Sequence, residues 1–254
     1  MKNKHDILWL DTVDSTNNEA RRRISKLDNL SVVSALEQTS GRGQVGNEWL
    51  SKPGVNLTFS ICLKFSGNDT LDVHDQCVIN EIASLSVVDF LGSHGIEAKI
   101  KWPNDIYVQN RKICGILIEN SLIGSHVNSS IIGIGLNINQ RNFNVNLPNP
   151  ISMTLLTNEG YDISQCLDEF MSIFKEYFRR YLNGNGGFTR LRTLYLGQLW
   201  KLNEPMQFNY GADNESVFTG IIRGLTYIGN LLVETEKGEL REFAFKEIGY
   251  IHLI

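Results

Sequence analysis

Two short segments place cationic side chains beside glycine and tryptophan. They are Gly41-Arg42-Gly43-Gln44-Val45-Gly46-Asn47-Glu48-Trp49 and Lys101-Trp102-Pro103-Asn104-Asp105, the latter running on to Arg111-Lys112. That combination suits an anionic, flat, nucleotide-like ligand better than a hydrophobic core. Arg42 stands between two glycines, where backbone N–H groups and a guanidinium can close together on a phosphate. The plain alternative is a surface turn with a solvated arginine. Trp49 either stacks on a base or belongs to the core. Lys101 and Lys112 flank a hairpin, with Asn104 and Asp105 at the bend after Pro103; a lysine beside a turn is otherwise a solvated charge. Gly115 puts a small residue where a flat ligand can approach the strand backbone. Gly133-Ile134-Gly135-Leu136-Asn137 repeats the theme, ending in an amide that pairs with an adenine edge or simply closes a strand-end turn.

Gly41 to Gly46 fits G-x-G-x-x-G to the letter. A dinucleotide fold needs a helix directly after that motif to receive the pyrophosphate, and an acidic residue about twenty positions on. Here Glu48-Trp49-Leu50-Ser51-Lys52-Pro53-Gly54 follows, which is no helix, and the next element is a strand. The remaining kinase signatures are missing, and no G-x-x-x-x-G-K-S/T occurs. Any nucleotide is therefore held without a Rossmann turn or a P-loop.

These residues need a framework, and the hydrophobic pattern supplies one. Thr16 with Glu19 three residues later reads as a capping box, and Ala20 to Ile24 continue the helix. Val32 to Leu36 is a buried strand delivering the chain to Gln38 and the glycine-rich loop. Asn56 to Leu63 alternates with period two, as a strand does. Apolar residues from Gln76 to Leu91 cover most of a helix stopped by Gly92. Ala98 to Lys101 is a short strand; Ile106 to Val108 and Lys112 to Glu119 are two more, joined by a tight turn. Ile131 to Ile138 is another strand, and residues 139–149 are an asparagine-rich loop. Ile163, Leu167, Phe170, Met171, Phe174, Tyr177, Phe178 and Tyr181 recur at helical spacing. Beyond about Pro205, Val217 to Ile222, Leu231 to Glu234 and Leu240 to Phe245 form short β-like runs between glycine turns, the pattern of a small barrel.

The 254 residues carry 42% apolar and 20% charged side chains and a net charge of −4, an ordinary globular composition. That charge argues against general nucleic-acid binding but allows a local basic site. Apolar stretches end well short of the roughly 18 positions of a membrane span, so no membrane is expected. Met1 to Asp6 lacks the apolar core of a signal peptide, which points to the cytoplasm. Cys62, Cys77, Cys114 and Cys166 stand far apart, with no Cys-x-x-Cys pair and no histidine at ligand spacing. Reduced, mostly buried thiols are expected rather than a zinc site or a disulfide framework.

Taken together the segments resemble the biotin–protein ligases. The likeness rests on GRG-x-x-G-x-x-W, then KWPND, then RK-x-x-GIL-x-E, then GIG-x-N-x-N, with Ser15-Thr16-Asn17 and Gln38 where that family places biotin contacts. It runs from about Thr12 to the C-terminus, is specific in the middle and thins after residue 145. The resemblance implies an α+β protein. Residues 1–203 would be a catalytic domain, a mixed β-sheet with flanking helices related to class II aminoacyl-tRNA synthetases, and residues 204–254 an SH3-like barrel.

The implied chemistry has two steps, with ATP and biotin as substrates and Mg²⁺ neutralising the triphosphate. The biotin carboxylate attacks the α-phosphate, giving biotinyl-5′-AMP and pyrophosphate. A lysine of a biotin carboxyl carrier domain then attacks the mixed anhydride and releases AMP. Neither step needs a nucleophile from the enzyme; what is needed is charge neutralisation and alignment of two anions that repel each other. On this resemblance Arg42 and Lys112 hold carboxylate and phosphate oxygens, and Lys101 supports the phosphates. Ser15, Thr16, Asn17 and Gln38 bind the polar head of biotin, in a site that also includes Gly41, Gly43, Gln44 and Gly115. Trp49 and Asn137 receive the adenine, with Asn104 on the same adenylate side. Asp105 orients the incoming lysine or acts as a weak base. No metal ligands on the protein are implied.

Gln44 departs from the second arginine that many members carry in a GRGR loop. Adenylate synthesis is expected to survive on Arg42, and retention of the adenylate to weaken. Some bacterial members begin with a DNA-binding winged helix; here a strand near Ile7 to Leu10 begins almost at once, so no sequence-specific DNA binding is expected. One rival reading is a lipoate or octanoate–protein ligase of the same fold, against which KWPND speaks. Another is a non-catalytic biotin or nucleotide sensor, against which the Arg42, Lys101 and Lys112 set speaks. A homodimer through a sheet edge stays open, as does the identity of the carrier.

Overall fold

A computed structural model describes residues 6–44, 47–67, 70–182, 187–210 and 216–251. Strands β1 (Ile7–Val13) and β2 (Val32–Gln38) run parallel, connected through helix α1 (Thr16–Arg23). There follow β3 (Leu57–Lys64), β4 (Leu71–Asp72), α2 (Cys77–Ser93), β5 (Lys99–Lys101), β6 (Asp105–Val108), β7 (Arg111–Ile123) and β8 (His126–Leu136). Helices α3 (Met153–Thr157), α4 (Ile163–Tyr181) and α5 (Phe188–Gly197) complete the larger part. Its sheet has the order β1-β2-β3-β8-β7-β6-β5, with β4 also on β8. Every pair except β1–β2 is antiparallel, so the sheet is mixed.

The period-two pattern of β3 separates two environments. Leu57, Phe59, Ile61 and Leu63 enter the main core with residues of α2 and α4, where Phe59 meets Phe170 edge-on at 5.2 Å. Cys62 faces the other way, into a smaller cluster with Ala20 of α1, Val33 and Ile131. Thr58 and Ser60 share that second face by alternation, and there the sheet becomes polar.

A second, all-antiparallel sheet follows: β9 (Pro205–Tyr210), β10 (Ser216–Leu225), β11 (Leu231–Thr235), β12 (Leu240–Phe243) and β13 (Ile248–Tyr250), in the order β12-β11-β10-β9-β13. Arg192 of α5 ties it to the first. Its guanidinium pairs with Glu81 of α2 and donates to the Thr226 and Tyr227 carbonyls after β10. The Trp102 indole N–H donates to the Gly229 carbonyl at 3.0 Å.

Three local expectations are corrected. No capping box forms at α1: Ser15 is the N-cap and makes no side-chain cap bond, while Glu19 pairs with Arg22 and Arg23. Gly92 does not stop α2. The helix reaches Ser93, and the left-handed φ of +72° falls on Gly95, the position where a helix terminus needs glycine. β9, β13, α3 and α5 had no counterpart in the hydrophobic pattern. The cysteines at 62, 77, 114 and 166 are free thiols, Cys77 being the one that is not buried.

Candidate active site

Sheet register assembles the site. Lys101 on β5 pairs with Asp105 on β6, Asp105 with Gly115 on β7, Gly115 with Gly135 on β8, and Gly135 with Thr58 on β3. Directly opposed residues share a face, so one row carries a cation, a carboxylate, two glycines and a hydroxyl. Lys112 would face the core by simple alternation. A bulge between Ile106 and Tyr107 makes Lys112 the partner of Tyr107, which brings it to the Asp105 side while Ile113 and Cys114 both stay buried. Re-aiming one side chain is what a bulge does. Lys112 Nζ then lies 2.7 Å from Asp105 Oδ1.

The glycine-rich segment lies over this row. Gly41 and Trp49 are joined by the Trp49 N–H to the Gly41 carbonyl at 2.9 Å, and Gly43 N–H donates to Asn47 O at 3.0 Å. Val45 and Gly46, the end of the G-x-G-x-x-G match, lie outside the described residues. The Trp49 indole rests on the glycines of the row: a Cβ on Gly135 would sit 2.3 Å from the ring, and one on Gly115 3.1 Å from it. The flat group against those strands is thus a side chain of the protein itself. Its Nε1 is buried with no hydrogen-bond partner among the described residues.

A polar wall closes the far end. Gln38 Oε1 accepts from the Thr16 N–H at 2.8 Å and from the Thr16 hydroxyl at 3.2 Å. Ser60 Oγ donates to Asn17 Oδ1 at 2.6 Å, and the Asn17 amide donates to Glu119 Oε2 at 2.9 Å. Gly133 leaves room for Asn17, since a Cβ there would fall 2.3 Å from Oδ1. Ser15, Thr16 and Asn17 are all buried. Glu119 also takes Arg42 at 2.9 Å and pairs with Arg21. Burial alone would raise the Glu119 carboxyl; the bonds from Asn17 and Arg21 and the charge of Arg42 outweigh it and hold it below the usual range. Arg42 donates as well to Asn18 Oδ1 at 2.8 Å.

Ser15, Thr16, Asn17, Gln38, Arg42, Gly43, Gln44, Trp49, Lys101, Asn104, Asp105, Lys112, Gly115 and Asn137 all line one cavity of about 360 Å³, the size of a small-molecule site. Gly41, expected in the biotin site, does not line it; it contacts the Trp49 backbone, where a Cβ would fall 2.3 Å from the Trp49 carbonyl oxygen. Two amides have structural employment: Asn104 donates to the Ile116 carbonyl, and Asn137 to Ile151 O at 3.0 Å. Asn104 thereby pins the bend after Pro103 to β7. That bend is gripped from behind by Asn80 and Tyr195, which both donate to the Pro103 carbonyl. Lys101 is half-buried against Tyr107, and desolvation lowers it to about 8, with Asp105 opposing that shift and Lys112 adding to it. Sequence reasoning assigned nothing to Ser60 of the polar network or to Tyr107, Phe143, Leu147, Pro148, Asn149 and Pro150, which also line the cavity. Glu119 lay inside the RK-x-x-GIL-x-E pattern, but nothing in its neighbourhood along the chain announced three partners.

Among the described residues cations and amides dominate the lining of this cavity, an arrangement that can hold anionic groups. Residues 9–137 match the model of the biotin/lipoate A/B protein ligase family. The biotin–[acetyl-CoA-carboxylase] ligase of Paracoccus denitrificans is 30% identical over 82% of this chain and 87% of its own. The bifunctional ligase/repressor BirA of Bacillus spizizenii is 27% identical over 91% of this chain and 70% of its own. Among solved structures, the biotin protein ligase of Aquifex aeolicus in complex with biotin and ATP gives a TM-score of 0.78 at 27% identity, covering 97% of this chain and 98% of that one. The chain belongs to the biotin/lipoate A/B protein ligase family and, within it, to the biotin–protein ligases.

Proposed function

We propose that the protein activates biotin with ATP to biotinyl-5′-AMP and passes the biotinyl group to a lysine of a biotin carboxyl carrier domain. The observation that carries this reading is the convergence of Arg42, Lys101 and Lys112 on one cavity lined also by Ser15, Thr16, Asn17 and Gln38, with Ser60 bonded behind Thr16 and Asn17. Two anions about 4 Å apart repel by roughly 4 kcal/mol at an effective dielectric near 20. That is a thousandfold rate factor, which the cations are there to remove.

Biotin lies with its ureido head against Ser15, Thr16, Asn17 and Gln38 and its carboxylate toward Lys112 and Arg42. The carboxylate oxygen attacks the α-phosphate, and pyrophosphate leaves toward Lys101. Arg42 and Lys112 are partly exposed in their pairs with Glu119 and Asp105, at 39% and 34%. An incoming phosphate competes with those carboxylates for the two cations. Asp105, once released from Lys112, lies where it can orient the carrier lysine for attack on the anhydride carbonyl, with AMP as leaving group. Mg²⁺ enters with ATP as part of the substrate.

Incubation with labelled biotin, MgATP and an isolated carrier domain tests the proposal. Label is expected on the carrier, dependent on ATP and undiminished by excess lipoate. An unlabelled carrier, or label displaced by lipoate, sinks the reading.

A further inference from the structure

We propose that Tyr250, the last residue of β13, is a positioning residue for adenylation: its ring completes, with Tyr107 and Trp200, an aromatic cage that fixes the Lys101 ammonium at the cavity edge. The inference rests on the ligase reading above and adds to it a part for the second sheet.

Lys101 Nζ donates to the Tyr107 hydroxyl at 3.1 Å, 4.7 Å from the centre of that ring, and lies 4.8 Å from the centre of the Tyr250 ring and 5.8 Å from that of Trp200. All three fall within the roughly 6 Å over which a cation is attracted to an aromatic face. The walls brace one another, with Tyr107 and Trp200 centred 5.5 Å apart and Trp200 and Tyr250 6.0 Å apart. Trp200 is itself fixed by the bond from its indole N–H to Gln109 O at 2.7 Å and from its backbone N–H to Ile100 O at 2.8 Å. Tyr107 belongs to β6 and faces the cavity beside Lys101. Tyr250 comes from elsewhere: β13 is paired with β9 in the second sheet.

The ring, not the hydroxyl, is what this position uses. The Tyr250 hydroxyl is buried with no hydrogen-bond partner among the described residues, and such a group costs stability rather than adding to it. A lysine on a flexible four-carbon stem loses much of its freedom when its head is caged. Caged, it meets the phosphates from a fixed direction. The surrounding rings also exclude water, in keeping with the Lys101 value of about 8.

Tyr250→Leu and Tyr250→Phe in the full chain test this, by biotin-dependent ATP–pyrophosphate exchange followed against pH and ATP concentration. Tyr250→Leu is expected to raise KM for ATP about five- to tenfold, with a smaller effect on kcat, and to move the alkaline limb upward as water reaches Lys101. Tyr250→Phe is expected to keep the wild-type KM and limb. The NMR titration of the Lys101 ammonium reads the cage without activity and should move up in the leucine variant alone. A leucine variant with wild-type KM and an unmoved or lowered limb overturns the proposal, even if its Tm falls. So does a phenylalanine variant as impaired as leucine. Absence of exchange in the wild type would count against the ligase reading instead, leaving the titration to decide on the cage.

Discussion

Lys101 and Lys112 flank the same carboxylate, yet they are held differently. Lys112 is paired with Asp105 at 2.7 Å, whereas Lys101 donates to the Tyr107 hydroxyl at 3.1 Å among aromatic rings, and desolvation lowers it to about 8. A lysine lowered in this way is charged below that value and neutral above it. If its charge is needed for the phosphates, pyrophosphate exchange should fall as pH rises through about 8, and Lys101→Arg, protonated throughout, should abolish that limb. A decline that begins only near the ordinary lysine value would show Lys101 to be a spectator. Gln44 lines the cavity without charge. The Gln44→Arg variant should therefore release biotinyl-AMP more slowly, measured by chasing preformed labelled adenylate; equal or faster release refutes the idea. Arginine, lysine and glycine types disclosed the cavity in the sequence because their chemistry is local. Glu119 stayed silent because its role exists only once Asn17, Arg21 and Arg42 have been brought to it from two distant segments.

Strand pairing decides which side chains meet. The row from Lys101 to Thr58 needs four successive registers, and a one-residue slip in any of them would turn part of it into the core. Gly135 is where that row is most tightly occupied. Gly135→Ala should push Trp49 off the strands, raising its fluorescence quenching by iodide, and weaken ATP binding by about tenfold, or 1.4 kcal/mol. Unchanged quenching relative to a Trp49→Phe control would mean that the indole does not rest there. Long patterned elements such as α2, α4, β3 and β7 were legible from periodicity. The bulge that swings Lys112 onto the cavity face was not, since Ile113 and Cys114 read simply as two more apolar strand residues. Gly95 was likewise overlooked in favour of Gly92, because backbone φ is not written in residue type.

The two sheets are joined through groups that the sequence presented as ordinary. Glu81 is 3% exposed along its side chain and Arg192 18%. Arg192→Ala strands a buried carboxylate and should cost about 3 kcal/mol in denaturant unfolding. Burial raises Glu81 to about 7, with Arg192 opposing that rise. A carboxyl raised on folding favours the native state below its unfolded value and gives up that contribution as pH climbs through the folded one. The stability difference between wild type and Glu81→Gln should accordingly shift against wild type from about 4.5 to about 7. A flat difference over that window would exclude Glu81 as a titrating group. The barrel-like pattern after Pro205 was visible in glycine-punctuated runs, but β9 and β13 were too short to show, and with them the route by which Tyr250 reaches Lys101.

Charge neutralisation from two distant segments is the claim on which the mechanism depends. Biotin-dependent ATP–pyrophosphate exchange in Arg42→Gln and Lys112→Gln tests it most directly. Each substitution should lower kcat/KM by about a hundredfold or more, the usual loss when one preorganised charge donor is removed, with the folded state intact by circular dichroism. Exchange at wild-type rates in both variants would contradict the account.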